Sequence, residues 1–316
     1  MTVGVSIIIP VFNERENLDP LYREIVEALK DLGREYEILF VDDGSRDGST
    51  DVLLRLHEAD PRVKLITFRK NFGQTAALSA GFDYADGDVV VTMDADLQND
   101  PADIPMLLEK ISEGYDLVNG WRYDRKDKWL SRRLPSVLAN RLISWATDVK
   151  LNDYGCTLKA IRKEVVKNIT LYGELHRFIP AVASWMGVRI AEVKVNHRPR
   201  IAGTSKYGIS RVFRVLLDLI TVKFLLSYAG RPIQFFGVPG LICGTLGAFL
   251  ALYLAVQRLF LDVAIGDRPL LLLAVLLIIV GIQFIVFGLL GELQIRTYHE
   301  SLNKPIYFIK EKRGIR

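Results

Sequence analysis

The chain has 316 residues, half of them hydrophobic and a quarter charged, and a net charge of +4 at neutral pH. This length allows about two domains, and so small a charge, without interleaved basic and aromatic residues, does not support nucleic-acid binding. Cys156 and Cys243 are far apart and the four histidines are scattered, which excludes a disulfide framework and gives no zinc-site pattern.

The alternation of strand and helix patterns dominates the first 120 residues or so. Apolar runs of strand length alternate with segments of helical spacing, which predicts an α/β domain with a mostly parallel sheet and right-handed crossovers. Strands are predicted at Val3–Phe12, Tyr36–Val41, Val63–Phe68, from Val89 onward, Asp116–Asn119 and Val188–Val195. Helices are predicted at Glu16–Leu32, Asp47–Ala59, Thr75–Tyr84 and Asp103–Glu113.

Acidic groups follow three of these strands: Asn13-Glu14, Asp42-Asp43 and Asp94-x-Asp96. Each could be ordinary turn or helix-cap chemistry. In an open α/β sheet, however, ligands bind outside the carboxyl ends of the strands, and carboxylates gathered there need neutralisation by a cation. An all-oxygen donor set with no histidine or cysteine nearby suits Mg²⁺ or Mn²⁺. No dinucleotide-binding or P-loop glycine motif follows any of the strands.

Two long segments without a charged residue, Pro232–Val256 and Pro269–Gly291, follow the α/β region. At about 1.5 Å per residue, each helix would exceed the roughly 30 Å hydrocarbon core of a bilayer. We predict two transmembrane helices joined by an external connector over 257–268. The first apolar run leads into polar turn residues, so no signal peptide is expected. Basic residues concentrate before the first predicted span and after the second, and few lie in the connector. This distribution predicts that both termini are cytoplasmic, and it fits an anionic lipid surface or substrate.

The three acidic motifs resemble, in their order, the signatures of family 2 glycosyltransferases with the GT-A fold. They read Pro10-Val11-Phe12-Asn13-Glu14, Val41-Asp42-Asp43-Gly44-Ser45 and Met93-Asp94-Ala95-Asp96-Leu97-Gln98. More narrowly, the chain resembles the polyprenyl-phosphate glycosyltransferases, such as dolichol-phosphate mannose synthase and the bactoprenol glucosyltransferases. The resemblance implies a Rossmann-like sheet domain followed by an interfacial helix and two transmembrane helices.

The resemblance also implies a donor site for a nucleotide-sugar. Asp42 is expected on the base or ribose, and Asp96 and Gln98 are expected as metal ligands with Asp94 beside them. A divalent cation there would stabilise the charge that grows on a departing nucleoside diphosphate. The other residues expected on the donor side are Pro10, Asn13, Glu14, Asp43, Arg200 and Lys206.

Residues further along are expected to hold the acceptor. Arg122 could be a solvated loop arginine, but the resemblance makes it a catalytic phosphate ligand. The segment 131–147 is predicted to be a helix that lies on the bilayer, with simple packing on the domain as the alternative. Arg132 and Ser136, one turn apart on that helix, match positions that hold the acceptor phosphate, and Ser205 is assigned to the same phosphate.

Asp153 lies where the family has an acidic residue near the reaction centre. A lipid phosphate is already anionic at neutral pH, so we expect Asp153 to orient the acceptor or sugar rather than to act as a general base. Arg200, Gly203, Ser205 and Lys206 match a family segment that closes over the diphosphate as a lid. A flexible basic linker is the alternative for this segment.

The resemblance implies a GT-A domain over 1–206. The patterns that follow it predict an amphipathic juxtamembrane helix over 207–231, the spans and connector given above, and a cytoplasmic tail over 292–316. Residues 306–309 have strand composition, and we expect them to add to a sheet edge, with a neighbouring subunit of a homo-oligomer as one candidate.

The expected function is inverting transfer of a hexose to polyprenyl phosphate on the cytoplasmic face of a bacterial-type inner membrane. UDP-glucose and undecaprenyl phosphate are the favoured pair, with GDP-mannose as the alternative donor. A processive polysaccharide synthase is less well supported, because the Gln-x-x-Arg-Trp motif of those enzymes is absent. Intact Asp94, Asp96 and Gln98 argue against a non-catalytic membrane scaffold.

Overall fold

The computed structural model describes residues 4–123, 144, 149–169, 171, 175–184, 186–198, 232–261, 264, 269–301 and 307–315. The chain divides into two compact units, one formed by Met1–Val222 with Pro305–Arg316 and the other by Lys223–Lys304. The first unit contains an α/β sheet and the second contains two long apolar helices.

In the described residues, the strands of the sheet are β1 (Val5–Val11), β2 (Tyr36–Asp42), β3 (Val63–Phe68), β4 (Val89–Thr92), β5 (Leu117–Arg122), β6 (Lys159–Arg162), β7 (Ile190–Val195) and β8 (Ile309–Arg313). The α-helices are α1 (Arg15–Leu29), α2 (Ser49–Ala59), α3 (Gln74–Tyr84), α4 (Ile104–Ser112), α5 (Lys163–Lys167), α6 (Ile179–Ser184), α7 (Pro232–Leu261) and α8 (Pro269–Ser301).

The strand order across the sheet is β7-β5-β6-β4-β1-β2-β3-β8. The central strands β3, β2, β1 and β4 are parallel, while β6 runs antiparallel to β4 and β5 and β8 runs antiparallel to β3. The predicted α/β class with a mostly parallel sheet is therefore confirmed. Parallel pairing brings the carboxyl ends of β1, β2 and β4 to one edge, where the three acidic motifs follow.

Burial explains why these segments form the centre of the sheet. Every residue of β2 and of β4 is buried, as expected for parallel strands covered on both faces. On α1, Leu18, Leu21, Ile25 and Leu29 are almost fully buried, and their spacing places them on one helix face. Each such side chain contributes about 1.5–3 kcal/mol when it is removed from water.

The sequence patterns located the central elements to within a few residues, and β3 has its predicted bounds. The strand β6 was not predicted, because four residues with a charged residue at each end carry no readable period. It forms because β4 and β5 both pair with it. The predicted helices over 131–147, apart from Ser144, and over 207–231 lie outside the described residues.

The C-terminal segment adds to the edge of the sheet, on the strand β3 of the same chain. The predicted sheet-edge addition is thus present, although the strand covers Ile309–Arg313 rather than residues 306–309. The helix α8 continues to Ser301, so the segment that was predicted as a tail from residue 292 begins as helix.

The second unit consists of two helices that are long and apolar enough to cross a membrane, over Phe236–Leu261 and Pro269–Gly291. Only 17% and 11% of their most apolar windows are buried within the chain. A core helix of a water-soluble protein would be mostly buried, so these exposed apolar surfaces suggest association with a membrane.

Glycines allow α7 and α8 to approach closely. A Cβ added at Gly281 would lie 2.7 Å from the backbone nitrogen of Gly244 and 2.8 Å from the carbonyl oxygen of Gly240. Backbone atoms cannot rotate away as a side chain can, so a methyl group here forces the two helices apart. Small residues at the contact are typical of helix pairs in lipid.

We expect Gly281→Ala to lower the thermal unfolding temperature of the detergent-solubilised protein by roughly 4 °C or more, because packing between α7 and α8 is lost. Gly244→Ala is the matched control, since a Cβ at Gly244 meets no atom within 4 Å. Equal unfolding temperatures for the two variants would contradict the close approach.

Candidate active site

A cleft of about 220 Å³ opens at the carboxyl ends of β1, β2 and β4. Its walls come from the ends of these three strands and from the start of α3, which places acidic side chains opposite backbone and amide groups. The lining residues are Pro10, Val11, Phe12, Glu14, Asp43, Asn71, Gly73, Gln74, Ala77, Asp94, Ala95 and Asp96. All three predicted acidic motifs therefore contribute to a single cleft.

Asp43 is buried in the wall of this cleft and accepts hydrogen bonds from two consecutive backbone N–H groups. Its Oδ1 lies 2.6 Å from the nitrogen of Phe72 and its Oδ2 lies 2.9 Å from the nitrogen of Gly73. Burial raises the pKa of Asp43 to about 6, although the two N–H groups act in the opposite direction. The carboxylate thus fixes the chain between β3 and α3 at the border of the cleft.

Asp42 is not among the residues that line the cleft. It is fully buried and accepts hydrogen bonds from the nitrogen of Ser45, at 2.9 Å, and from the hydroxyl of Thr50. These bonds close the turn after β2 beneath the cleft. The predicted contact of Asp42 with base or ribose stays a prediction, and the geometry favours its neighbour Asp43 for that contact.

Asn13 and Glu14 hold the turn after β1 to the turn after β2. The side-chain oxygen of Asn13 accepts from the nitrogen of Arg46 at 2.8 Å, and the nitrogen of Glu14 donates to the hydroxyl of Ser49 at 3.0 Å. Glu14 and Pro10 line the cleft, so two of the donor-side residues predicted in β1 and its turn reach it directly.

Asp94 lies at the floor of the cleft and accepts a hydrogen bond of 2.7 Å from the side-chain amide of Gln74, at the start of α3. Its pKa is raised to about 7, first by burial and then by the negative charge of Asp96. Asp96 is buried and accepts from the nitrogen of Gln98 at 3.1 Å. Leu97, which lies between Asp96 and Gln98, has a φ of 60°, a left-handed conformation that is strained for a bulky side chain.

Gln98 is held through its backbone, since its carbonyl oxygen accepts from the nitrogen of Arg198 at 2.9 Å. The described lining of the cleft does not include it. Its predicted role as a metal ligand stays a prediction.

Arg122 and Asp153 form a largely buried, bidentate ion pair. The Nε atom of Arg122 lies 2.7 Å from Oδ2 of Asp153, and an Nη atom lies 2.9 Å from Oδ1. Burial opposes the charge on Arg122, but the hydrogen bonds and charge of Asp153 outweigh it and raise the arginine pKa. Asp153 also accepts from the nitrogen of Gly155 at 3.1 Å, so both of its oxygens are engaged as acceptors.

Lys159 is a buried cationic residue that the sequence patterns did not single out. It lies in β6, opposite Thr92 of β4, and Thr92 precedes Asp94 by two residues. The Nζ atom of Lys159 donates to the carbonyl oxygen of Cys156. Burial lowers the pKa of Lys159, and the charges of Asp94 and Asp153 lie close enough to oppose that shift. A lysine next to the apolar pair Ala160-Ile161 was the available signal.

The donor set at Asp94 and Asp96 fits a hard divalent cation bound mainly through substrate. Among the described residues, no three histidine, cysteine or carboxylate groups could together hold a metal ion. A cation would neutralise these two carboxylates at the end of one strand, where burial and the charge of Asp96 together raise the pKa of Asp94. Mg²⁺ is typically held by one or two carboxylates, with waters and phosphate oxygens completing the shell.

The remaining predicted site residues lie outside the described part of the chain. They are Arg132, Ser136, Arg200, Ser205 and Lys206. Their predicted roles at the acceptor phosphate and in a lid over the diphosphate stay predictions.

Residues 6–170 match the family glycosyl transferase family 2. This match covers more than half of the chain, and the chain belongs to glycosyltransferase family 2.

Over nearly its whole length, the chain is similar to polyprenyl-phosphate sugar transferases. It is 41% identical over 314 residues to the dodecaprenyl-phosphate galacturonate synthase of Rhizobium johnstonii, covering 98% of this chain and 93% of that protein. It is also 41% identical over 310 residues to the undecaprenyl-phosphate 4-deoxy-4-formamido-L-arabinose transferase of Pseudomonas syringae, covering 97% and 90%.

The fold is also that of a solved enzyme, the glucosyl-3-phosphoglycerate synthase of Mycobacterium tuberculosis, in complex with Mn²⁺, UDP and phosphoglyceric acid. The TM-score is 0.56 at 16% sequence identity, and the alignment covers 71% of this chain and 78% of that one. At this identity, the likeness shows the GT-A fold alone.

Proposed function

We propose that the protein transfers a sugar from a UDP-sugar to polyprenyl phosphate at the cytoplasmic face of a bacterial inner membrane, with inversion at the anomeric carbon. The observation that carries this proposal is the convergence of Asp43, Asp94 and Asp96 on one cleft. Its support comes from relatives that are polyprenyl-phosphate sugar transferases and are similar over almost the whole chain.

On the donor side, Asp43 with the backbone of Phe72 and Gly73 would border the nucleoside, and Asp94 and Asp96 would hold a cation against the diphosphate. Mg²⁺ or Mn²⁺ bound there would supply positive charge to the departing diphosphate. Gln74, whose amide donates to Asp94, would fix the direction of that carboxylate.

On the acceptor side, the buried pair of Arg122 and Asp153 would orient groups near the reacting carbon. The lipid phosphate attacks as an anion, so no proton has to be removed from it. Asp153 already accepts from Arg122 and Gly155, which suits a positioning role. Its charge would hold in place the guanidinium group of Arg122, whose positive charge acts on Asp94.

The sheet also bears on the placement of the membrane. The strand β8, which follows the two apolar helices in sequence, pairs with β3 in the unit that precedes them. Segments that pair in one sheet must lie on the same side of a bilayer. A chain that crosses the bilayer twice returns to the side on which it started, so two spans agree with this pairing. A cytoplasmic location of both termini is consistent with this pairing and with the basic residues that precede the first apolar helix and follow the second.

The sugar is proposed from the relatives, which are named for galacturonate and for 4-deoxy-4-formamido-L-arabinose. These two sugars therefore come before glucose and mannose as candidates. The test is transfer of radiolabelled sugar into solvent-extractable lipid, with undecaprenyl phosphate, Mn²⁺ or Mg²⁺, and a panel of UDP-galacturonic acid, UDP-4-deoxy-4-formamido-L-arabinose, UDP-glucose and GDP-mannose. Labelled lipid from a UDP-sugar is expected, whereas label in polymer, or none with any donor, would reject the proposal.

We expect Asp43→Asn to weaken binding of UDP with Mn²⁺ about tenfold at pH 7.5, because the carboxylate that orders two backbone N–H groups is lost. At pH 5, below the raised pKa of about 6, the wild-type carboxyl group is itself mostly protonated. The ratio of the two dissociation constants should therefore shrink toward one as the pH falls.

Calorimetry of both proteins at each pH measures this ratio. Protonation of the UDP phosphate affects both dissociation constants equally, so it does not change the ratio. Asp51→Asn, on the exposed face of α2, is the matched control for the charge change. A ratio that stays the same at pH 5 and pH 7.5 would contradict a role for the ionised Asp43.

A further inference from the structure

The chain beyond α8 returns to the sheet through an aromatic anchor. Tyr307 is buried, and its ring stacks on that of Phe68, at the end of β3, with centroids 5.2 Å apart and planes at 12°. Its hydroxyl donates to Asp83 of α3 at 2.7 Å. From there, β8 runs antiparallel along β3 from Ile309 to Arg313.

The same segment contacts the β3–α3 loop, residues 69–73. The carbonyl oxygen of Phe308 accepts from the nitrogen of Arg69 at 3.1 Å, and the ring of Phe308 lies 6.0 Å from that of Phe72. Phe72 also meets Phe68 edge to face at 5.7 Å. The loop is thus held from one side by the residues that follow the second apolar helix.

The other side of the β3–α3 loop lines the cleft. Asn71 and Gly73 line it, and the nitrogens of Phe72 and Gly73 donate to Asp43. The loop backbone also packs on Gly44, where an added Cβ would lie 2.7 Å from the carbonyl carbon of Lys70. The loop therefore lies between the C-terminal segment and the acidic motif after β2.

We propose that the C-terminal segment Tyr307–Arg313 is a positioning element of the donor site, with Tyr307 and Phe308 as positioning residues. They hold the β3–α3 loop in the conformation in which the N–H groups of Phe72 and Gly73 donate to Asp43. This part of the cleft wall is then already formed before the nucleotide binds. Holding a loop in its bound conformation increases affinity by removing the entropy cost of ordering it. This inference rests on the proposed function, because it assigns the wall to the nucleotide of the donor.

The test compares full-length Tyr307→Ala and Phe308→Ala with Lys310→Ala, which changes an exposed side chain of β8 and leaves the strand pairing intact. Hydrogen exchange of the Phe72 and Gly73 amides, measured without nucleotide, should be about tenfold faster in the first two variants and unchanged in the third. The side chain of Phe308 is 67% exposed, so its removal leaves a folded protein even if Tyr307→Ala unfolds.

Calorimetry with UDP and Mn²⁺ should then show about tenfold weaker binding for the two aromatic variants, and the Michaelis constant for undecaprenyl phosphate should not change. Unchanged exchange in Phe308→Ala and Tyr307→Ala would overturn the inference. Faster exchange with unchanged UDP affinity would also overturn it, because the loop would then not serve the donor. Wild-type protein that binds no UDP would contradict the proposed donor alone, since the exchange measurement still decides whether the segment holds the loop.

Discussion

Replacing Asp96 by asparagine should lower sugar transfer to lipid at least about a thousandfold, or about 4 kcal/mol of transition-state stabilisation. Asparagine keeps the size of the side chain and removes the charge that a divalent cation needs beside the diphosphate. The charge of Asp96 also raises the pKa of the neighbouring Asp94, so its removal relieves repulsion. We therefore expect the unfolding temperature to stay the same or to rise, which separates loss of chemistry from loss of fold.

Two measurements check this prediction: initial rates of labelled-lipid formation, and Mn²⁺ binding followed by electron paramagnetic resonance. Asp19→Asn is the matched control, because it removes a carboxylate from a partly exposed ion pair with Arg55 that contributes about 1 kcal/mol or less. Activity within tenfold of wild type, with unchanged Mn²⁺ affinity, would show that Asp96 does not hold the cation.

The second large effect is expected at Asp153. Asp153→Asn leaves Arg122 buried without its counter-charge, and breaking such a pair costs about 3 kcal/mol of stability. Arg122 would then lose its direction, and we expect transfer to fall about a hundredfold or more. If Asp153 only positions, the pH–rate profile of the variant keeps its shape while its height falls.

Asp60→Asn provides the matched control for this experiment. Asp60 is a buried carboxylate that is also paired with an arginine, Arg62, with 2.8 Å between the charged atoms. It lies just before β3, at the amino ends of the parallel strands, whereas the cleft lies at their carboxyl ends. Loss of its charge should therefore lower stability and leave the rate of sugar transfer unchanged. Disappearance of the acidic limb of the pH–rate profile in Asp153→Asn alone would instead assign Asp153 as a general base.

Much of this architecture could be predicted from local patterns. Strands such as Val89–Thr92, with three consecutive valines, are mostly apolar because both faces of a parallel sheet are covered, and that composition is visible in the sequence. The grouping of Asp43, Asp94 and Asp96 also followed from a general rule, since parallel strands bring their carboxyl ends to one edge. The two apolar helices α7 and α8 could also be predicted, because a helix that spans a bilayer needs a minimum number of consecutive apolar residues.

Other parts depend on contacts between distant residues. Nothing in the order Asp42-Asp43 tells which carboxylate lines the cleft, because that depends on which more distant groups donate hydrogen bonds to each carboxylate. The pairing of Arg122 with Asp153 joins residues 31 apart, and it brings a predicted phosphate ligand and a predicted orienting residue into one ion pair. Lys159 enters the site only because β6 inserts between β4 and β5.

By itself, the sequence determined the class of sheet, the edge at which the acidic groups meet, and the two apolar helices, because each depends on composition or period within a short segment. Only the tertiary structure decided which carboxylates line the cleft, that Asp153 is paired with Arg122, and that Phe308 contacts the loop between β3 and α3. These outcomes depend on which distant groups come within hydrogen-bonding distance, and a local pattern does not carry that information.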